Sequence, residues 1–202
     1  MTNYNRRILF YIERVYFLKK YDILINIGVM RKRQGGHEVD KDTVYMHEVA
    51  NGYRPDVEKL IRYIPWLESK KGARIASMYR GEGIEQNSIP FPVFDSAMIS
   101  LVKDARKTAL LDRNYAYVYS RNRIKSAADE QRLIASATIK DMNLLKGILS
   151  KYILGGATKA GLWAEGVENG SILKVLLKMK EILEYWDKPM EQRGILPDSG
   201  LE

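Results

Sequence analysis

YAYVYSRNRIK, residues 115–125, places tyrosines at 115, 117 and 119 and then cations at 121, 123 and 125 without a break in step. Alternation with a period of two is the pattern of a strand, whose successive side chains point to opposite faces. The stretch is therefore read as one strand. One face carries Tyr115, Tyr117, Tyr119, Arg121, Arg123 and Lys125, and the other carries Ala116, Val118, Ser120, Asn122 and Ile124. Two uses of such a strand compete. Rings that stack on bases, followed by guanidinium groups that meet phosphates, make a surface for single strands and RNA. Alternatively, the small apolar residues pack beneath a helix while the rings form cross-strand pairs or a protein interface. The alternation alone does not say which face is buried, and the six residues of the first face stand as candidate nucleic-acid or partner-binding residues.

Working outward, ARIASMYR (73–80) reads as a strand, GEGIEQN (81–87) as a loop and IPFPVF (89–94) as an extended segment whose two prolines suit an edge. Asp95 is placed to cap a helix over 96–111, with Met98, Leu101, Val102, Ala105 and Ala109 inward. On the other side, Ser126 with Asp129 and Thr138 with Asp141 have the spacing of capping boxes. Gly155-Gly156 marks a helix end, and Gly170 precedes SILKVLLKMKEILEYW (171–186), a strongly amphipathic helix.

Toward the N-terminus, residues 5–20 fit an amphipathic helix, with strand as an alternative. DILINIGVM (22–30) and TVYMHEV (43–49) read as strands on either side of the basic turn RKRQGG (31–36), a plausible hairpin closed by NGYRP (51–55). Pro55 and Asp56 then suit a helix start, and Val57, Leu60, Ile61, Ile64 and Leu67 form its stripe, with Pro65 kinking or ending it. The expected fold is α+β, a small antiparallel sheet with a mainly helical C-terminal half. Its expected parts are a basic N-terminal part (1–52), a core domain (53–188) and a flexible tail (189–202).

The chain has 202 residues, 46% apolar and 29% charged, the composition of a folded domain rather than a disordered one. It has no cysteine, which excludes disulfides and thiolate metal ligands and suits a reducing compartment. No apolar run reaches the roughly 18 residues of a membrane span, so a cytoplasmic protein with no membrane partner is expected. The net charge is +8, and residues 1–80 hold 16 Lys/Arg against 9 Asp/Glu while residues 81–202 hold 17 against 16. Such asymmetry points to a polyanionic partner. Arg31, Lys32 and Arg33 join the candidate binding residues on that ground, with a solvated loop as the plainer reading.

Enzymatic signatures are sparse. Pro55-Asp56 followed by Glu68-Ser69-Lys70 matches the wording of a metal-dependent nuclease core, in which both carboxylates must share one Mg²⁺. On one helix the two acids would stand about 18 Å apart, since each residue rises 1.5 Å. His37-Glu38 and His47-Glu48 could meet across a hairpin, but neither has the HExxH spacing of a zinc protease. Neither a G-x-S-x-G elbow nor a Walker loop is present. The expectation is a protein without catalytic residues, metal or cofactor.

FPVFDSAMISLVKDARKTALLDRNYAYVYSRNRI, TIKDMNLLKGILSKYILGGATKAGLW and SILKVLLKMKEI together resemble a family of small proteins carried on plasmids and conjugative elements of Gram-positive bacteria. The resemblance spans about Leu60 to Trp186 and leaves the basic N-terminal part without a counterpart. Some proteins of this kind are similar to anti-CRISPR inhibitors of the type II guide-RNA nuclease, and the resemblance implies that function here. The partner would be the type II CRISPR nuclease, its guide RNA, or both. A basic, tyrosine-rich inhibitor suits seizure of the guide RNA better than mimicry of nucleic acid in the nuclease's positively charged channel. A nucleic-acid-binding accessory of plasmid transfer is the alternative, with the nuclease third.

Overall fold

In the computed structural model, which describes residues 41–79, 91–159, 161–188 and 192–193, the chain is mainly helical with one two-stranded antiparallel ribbon. In chain order the elements are α1 (Lys41–Ile61), α2 (Ile64–Lys70), β1 (Ala76–Tyr79), β2 (Phe91–Phe94), α3 (Ser96–Ala105), α4 (Tyr115–Arg121), α5 (Ala127–Ser136), a 3₁₀ turn (Ile139–Asp141), α6 (Met142–Gly155), α7 (Gly161–Glu168) and α8 (Ser171–Asp187). The α+β expectation holds in this coarse form, but helix reaches into the N-terminal part as well.

Two expectations about α1 are corrected. The strand at 43–49, second arm of the expected hairpin, is helical, and the helix runs through Gly52 and Pro55 instead of starting at Pro55. Its first arm (22–30) and the turn at 31–36 lie outside the described residues. The reason is a long apolar stripe: Met46, Val49 and Tyr53 lie against the core, and Ala50, Val57 and Leu60 are fully buried. Spacings of three and four residues across the whole span outweigh local turn signals, because buried apolar area stabilises more than one lost backbone bond at Pro55 costs. Pro65 does end this run. It sits in the first turn of α2, where its missing N–H leaves no bond unmade.

Elsewhere the start and stop signals act as expected. Asp95 accepts the Ala97 N–H at 2.9 Å and caps α3. Ser126–Asp129 and Thr138–Asp141 form reciprocal capping boxes ahead of α5 and the 3₁₀ turn. Gly170 has φ +75°, a conformation that side chains resist, and joins α7 to α8 without a longer loop. Helix α3 stops at Ala105, short of 111, and the Ala109 N–H donates to Asp56 at 2.8 Å. Asp104 holds the α1–α2 turn against α3 through Tyr63 at 2.6 Å and Arg62, and takes Lys107 from its own side of the contact at 3.2 Å. The hydrogen bonds from Tyr63 and Lys107 pull its carboxyl down to about 2.

The ribbon pairs Ala76 with Phe94 and Tyr79 with Phe91. The Asp95 N–H reaches the Ile75 carbonyl at 3.2 Å, which fixes the alternation of the ladder. Pro92 therefore falls where β2 turns its backbone nitrogen away from β1, and its missing donor costs no ladder bond. Phe94 meets Trp163 edge-on, with ring centroids 5.1 Å apart, and so seats β2 on the helical body.

Helix α6 is central: Leu145, Ile148, Leu149, Tyr152 and Ile153 have no exposed surface. Helices α4, α7 and α8 pack around it, and α5 and α2 rest on α8. Helices α4 and α6 approach closely, so that a Cβ on Gly147 would lie 2.5 Å from Cγ1 of Val118. Glycine is needed there for space. Replacing Gly147 with Ala is predicted to destabilise the fold by about 1–3 kcal/mol through overpacking. Adding Val118→Ala should recover part of that loss, giving a favourable coupling of about 0.5 kcal/mol or more in a denaturation cycle. Simple additivity of the two losses would show that α4 is not seated through this pair.

Candidate functional site

The segment 115–125 does not form the expected strand; residues 115–121 are helix α4. Helical geometry turns each residue about 100° from the last, so the alternating face dissolves. Tyr115, Val118 and Tyr119, spaced i, i+3, i+4, all face inward. Val118 occupies the gap over Gly147, and a Cβ on Gly155 would sit 3.2 Å from the Tyr115 hydroxyl. Tyr119 donates its hydroxyl to Glu130 at 2.8 Å. Tyr117 points the other way and is 58% exposed. Three rings expected on one surface are thus divided, two inward and one outward. The physical cause is tertiary: a glycine-lined surface on α6 and a buried acceptor on α5 reward the helical spacing, and neither is visible in the local alternation.

Glu130 is the acceptor, and sequence reading missed it. It lies on α5 with no exposed surface, at a position continuous with the apolar stripe of Leu133, Ile134 and Ala137. A lone acid on an apolar stripe is the signal that could have found it. Its Oε1 takes the Tyr119 hydroxyl and the Lys151 ammonium, both at 2.8 Å; Oε2 takes Tyr152 at 2.7 Å and Ser171 at 2.9 Å. Asn169 donates to the Tyr152 oxygen at 3.1 Å. Every partner is supplied, as a buried carboxylate requires. Burial pushes the Glu130 carboxyl up, but the hydrogen bonds from Lys151, Tyr152 and Tyr119 outweigh it and hold the group below the ordinary glutamate range. Burial likewise pushes Lys151 down, and its bond to Glu130, with the electrostatic pull of Tyr152, Glu130 and Glu165 added, more than reverses that. Tyr119 and Tyr152 are raised, by burial first and by Glu130 next. The cluster ties α4, α5, α6 and α8 together.

The end of α4 is built with unusual backbone. Ile124 N–H reaches the Tyr119 carbonyl at 3.0 Å and Arg123 N–H the Ser120 carbonyl at 3.2 Å, the paired bonds of a Schellman motif, with Ile124 buried beneath. The residue that must be left-handed in this motif is Arg123, at φ +52°. Glycine is the usual occupant, and a side chain there costs on the order of 1 kcal/mol. Among the described residues Arg123 is the only non-glycine with positive φ.

Arg113, Arg121, Arg123 and Lys125 are the only charged residues between Asp112 and Asp129. All four are exposed, and none forms a salt bridge among the described residues. The flanking acids are engaged locally: Asp112 accepts the Asn114 N–H at 2.8 Å, and Asp129 caps α5 and pairs with Arg132 at 3.3 Å. Residues 96–159 as a whole hold 12 Lys/Arg against 5 Asp/Glu, whereas 160–202 hold 5 against 8. The positive excess therefore belongs to the α3–α6 part as well as to the N-terminal residues. Tyr117 stands one helical turn before Arg121 within this acid-free field. Of the expected binding residues, Tyr117, Arg121, Arg123 and Lys125 remain exposed, Tyr115 and Tyr119 do not share their surface, and Arg31, Lys32 and Arg33 lie outside the described residues.

The nuclease wording is dispersed. Asp56 holds Lys59 and the Ala109 N–H, Lys70 pairs with Asp95 at 3.5 Å, and Glu68 sits on a different helix from Asp56. The Asn51 side-chain amide donates to His47 Nδ1 at 3.2 Å on α1, and His37 lies outside the described residues. Among the described residues no three His, Asp or Glu side chains come together as a metal site. A shallow cleft of about 460 Å³ beside Lys70, Arg74 and Val93 contains one acid, Asp95, already committed to Lys70 and the α3 cap. No helix is long and apolar enough to cross a membrane among the described residues. Comparison with protein-family models, with curated proteins and with solved structures finds no match.

Linkage fixes how the Glu130 cluster responds to pH. Its folded carboxyl titrates below the unfolded value near 4.3, so its contribution is full above that value and drains as pH falls through the folded one. Lys151 titrates above its unfolded value near 10.4, so its share is full below that and lost as pH rises past the folded one. Stability should hold a plateau between about pH 5 and 10. Glu130→Gln should cost about 3 kcal/mol at pH 7 and flatten the loss below pH 5, as read from urea midpoints across pH. An unchanged acid limb in that variant would show that other carboxylates carry it.

Proposed function

We propose that this protein binds a nucleic-acid polyanion, alone or within a ribonucleoprotein, through the outward face of α4 and the turn that follows it. The observation that carries the reading is the set of four exposed cations, Arg113, Arg121, Arg123 and Lys125, with no acid between them and no ion pair among the described residues. A surface of this kind releases counterions when phosphates replace them, which drives association without sequence preference. Of the two carboxylates that the nuclease reading would need, Asp56 is engaged by Lys59 and the Ala109 N–H and Glu68 lies on a separate helix, which favours a binding protein over the nuclease reading.

The family resemblance supplies the biological form of the proposal: an anti-CRISPR inhibitor that engages the type II nuclease ribonucleoprotein or its guide RNA. Plasmid-transfer accessory is the second reading, favoured by the same cations if the ligand is free nucleic acid. Affinity for a labelled RNA is predicted to fall with salt at a log–log slope of about −3, as four contacts at about 0.7 ions each require. Reversing all four cations to Glu should abolish binding while leaving the thermal midpoint within a few degrees. Added to a type II nuclease loaded with its guide, the protein should lower cleavage and co-purify with the complex. Full cleavage at excess protein would remove the inhibitor reading and leave the accessory role, and a salt-independent affinity would remove both.

A further inference from the structure

The α4 surface carries two features that charge alone does not explain, and they identify its ligand more closely. The first is Tyr117. At 58% exposure it is the most exposed large apolar side chain among the described residues, and its ring has no hydrogen bond or ring partner there. Its neighbours Tyr115 and Tyr119 turn inward, so the ring is not the edge of an aromatic cluster. It lies one turn before Arg121, flanked on the helix surface by the small residues Ala116 and Ser120. A flat ring left clear by small neighbours, beside a cation, is the arrangement that receives an unstacked base.

The second feature is Arg123. A Schellman turn calls for glycine at this position, and arginine adopts φ +52° there against its own preference. Nothing inside the molecule offsets this: the side chain is exposed, with no ion pair and no ring contact among the described residues. Complementing the helix dipole does not require it either, since Arg121 already places a cation in the last turn. Strain kept where the fold gains nothing from it marks a contact made outside the fold.

Resting on the polyanion reading above, we propose that the α4 surface takes an unpaired stretch of nucleic acid, one base stacking on Tyr117 and adjacent phosphates meeting Arg121 and Arg123. Paired bases offer only their edges in the grooves, whereas a single strand can splay a base onto the ring while its backbone follows the cations. An acidic peptide would satisfy the cations but has no use for the ring, and it enters as an outcome of the test.

The experiment is fluorescence anisotropy with three probes: a labelled 12-nucleotide single-stranded RNA, the same strand annealed to its complement, and labelled polyglutamate. The proteins are wild type, Tyr117→Ala, Tyr117→Phe, Arg123→Gly and the four-cation reversal, each with its thermal midpoint. Single strand should bind at least about 10-fold more tightly than duplex or polyglutamate. Tyr117→Ala should weaken it about 10-fold without changing the salt slope, and Tyr117→Phe should keep the affinity. Arg123→Gly should raise the midpoint by about 2–4 °C while weakening binding and reducing the salt slope by about 1. Duplex bound as tightly as single strand, or Tyr117→Ala without effect while the cation reversal abolishes binding, overturns the stacking proposal and leaves the polyanion reading intact. Polyglutamate bound most tightly overturns it in favour of an acidic protein partner. Arg123→Gly that changes neither midpoint nor affinity removes Arg123 from the site. If the RNA probes bind no better to wild type than to the cation reversal, the polyanion reading itself fails.

Discussion

A carboxylate with no exposed surface, Glu130, stands where α4, α5, α6 and α8 converge, and the arrangement of the helical body depends on its being answered. An ionised acid in such a place costs several kcal/mol unless it is paired and hydrogen-bonded. Here the answer comes from three other helices: Tyr119 from α4, Lys151 and Tyr152 from α6, and Ser171 from α8. Each donor fixes the rotation of its helix as well as its position, because a hydroxyl or ammonium on the wrong side of the helix would leave the acid short of a partner. For α4 the consequence is direct. Tyr119 turned inward brings Val118 onto Gly147 and Tyr115 onto Gly155, and the same rotation sends Tyr117 and Arg121 outward. The binding surface proposed for this protein is therefore the reverse side of a structural decision made in the interior.

That dependence explains what the sequence disclosed and what it withheld. Helix boundaries signalled by local chemistry were legible: the Asp95 cap, both capping boxes, the stop at Gly155 and the start after Gly170 all follow from side chains bonding to nearby backbone. The extended segments that become β1 and β2 were legible at 73–80 and 89–94 from their apolar runs and edge-suited prolines, whereas their pairing with each other was not. The nature of 115–121 was not. Tyr115, Val118 and Tyr119 satisfy helical spacing as well as the alternation satisfies a strand, and the choice is made by Glu130 and Gly147, 11 and 29 residues from Tyr119 and Val118 in the chain. The strand expected at 43–49 failed for a related reason, since a stripe running on to Leu60 overrode the turn residues between. Of the candidate site, the cations were readable as a group and their exposure followed, but the division of the tyrosines required the fold.

Charge has a similar two-level distribution. Split at residue 80, the excess falls in the first part, yet the C-terminal stretch of 160–202 is acidic and masks an equally cationic run at 96–159. Within that run the four aspartates, Asp104, Asp112, Asp129 and Asp141, are placed as caps and staples, each satisfied by backbone or a neighbouring side chain, and Glu130 is buried among its donors. Arg113, Arg121, Arg123 and Lys125 are given no such work among the described residues. Separation of this sort, negative groups consumed locally and positive groups left to the solvent, produces a directional field from a modest net charge.

Pro92 has a consequence of a different kind. A two-stranded ribbon has an outer rim on each side, and rims of this sort recruit further chains into growing, self-templating stacks. By setting a residue with no amide hydrogen where β2 looks outward, the protein interrupts that rim in its middle. Along that flank a further strand would find no amide hydrogen at the middle of β2, which works against edge-to-edge stacking of the ribbon.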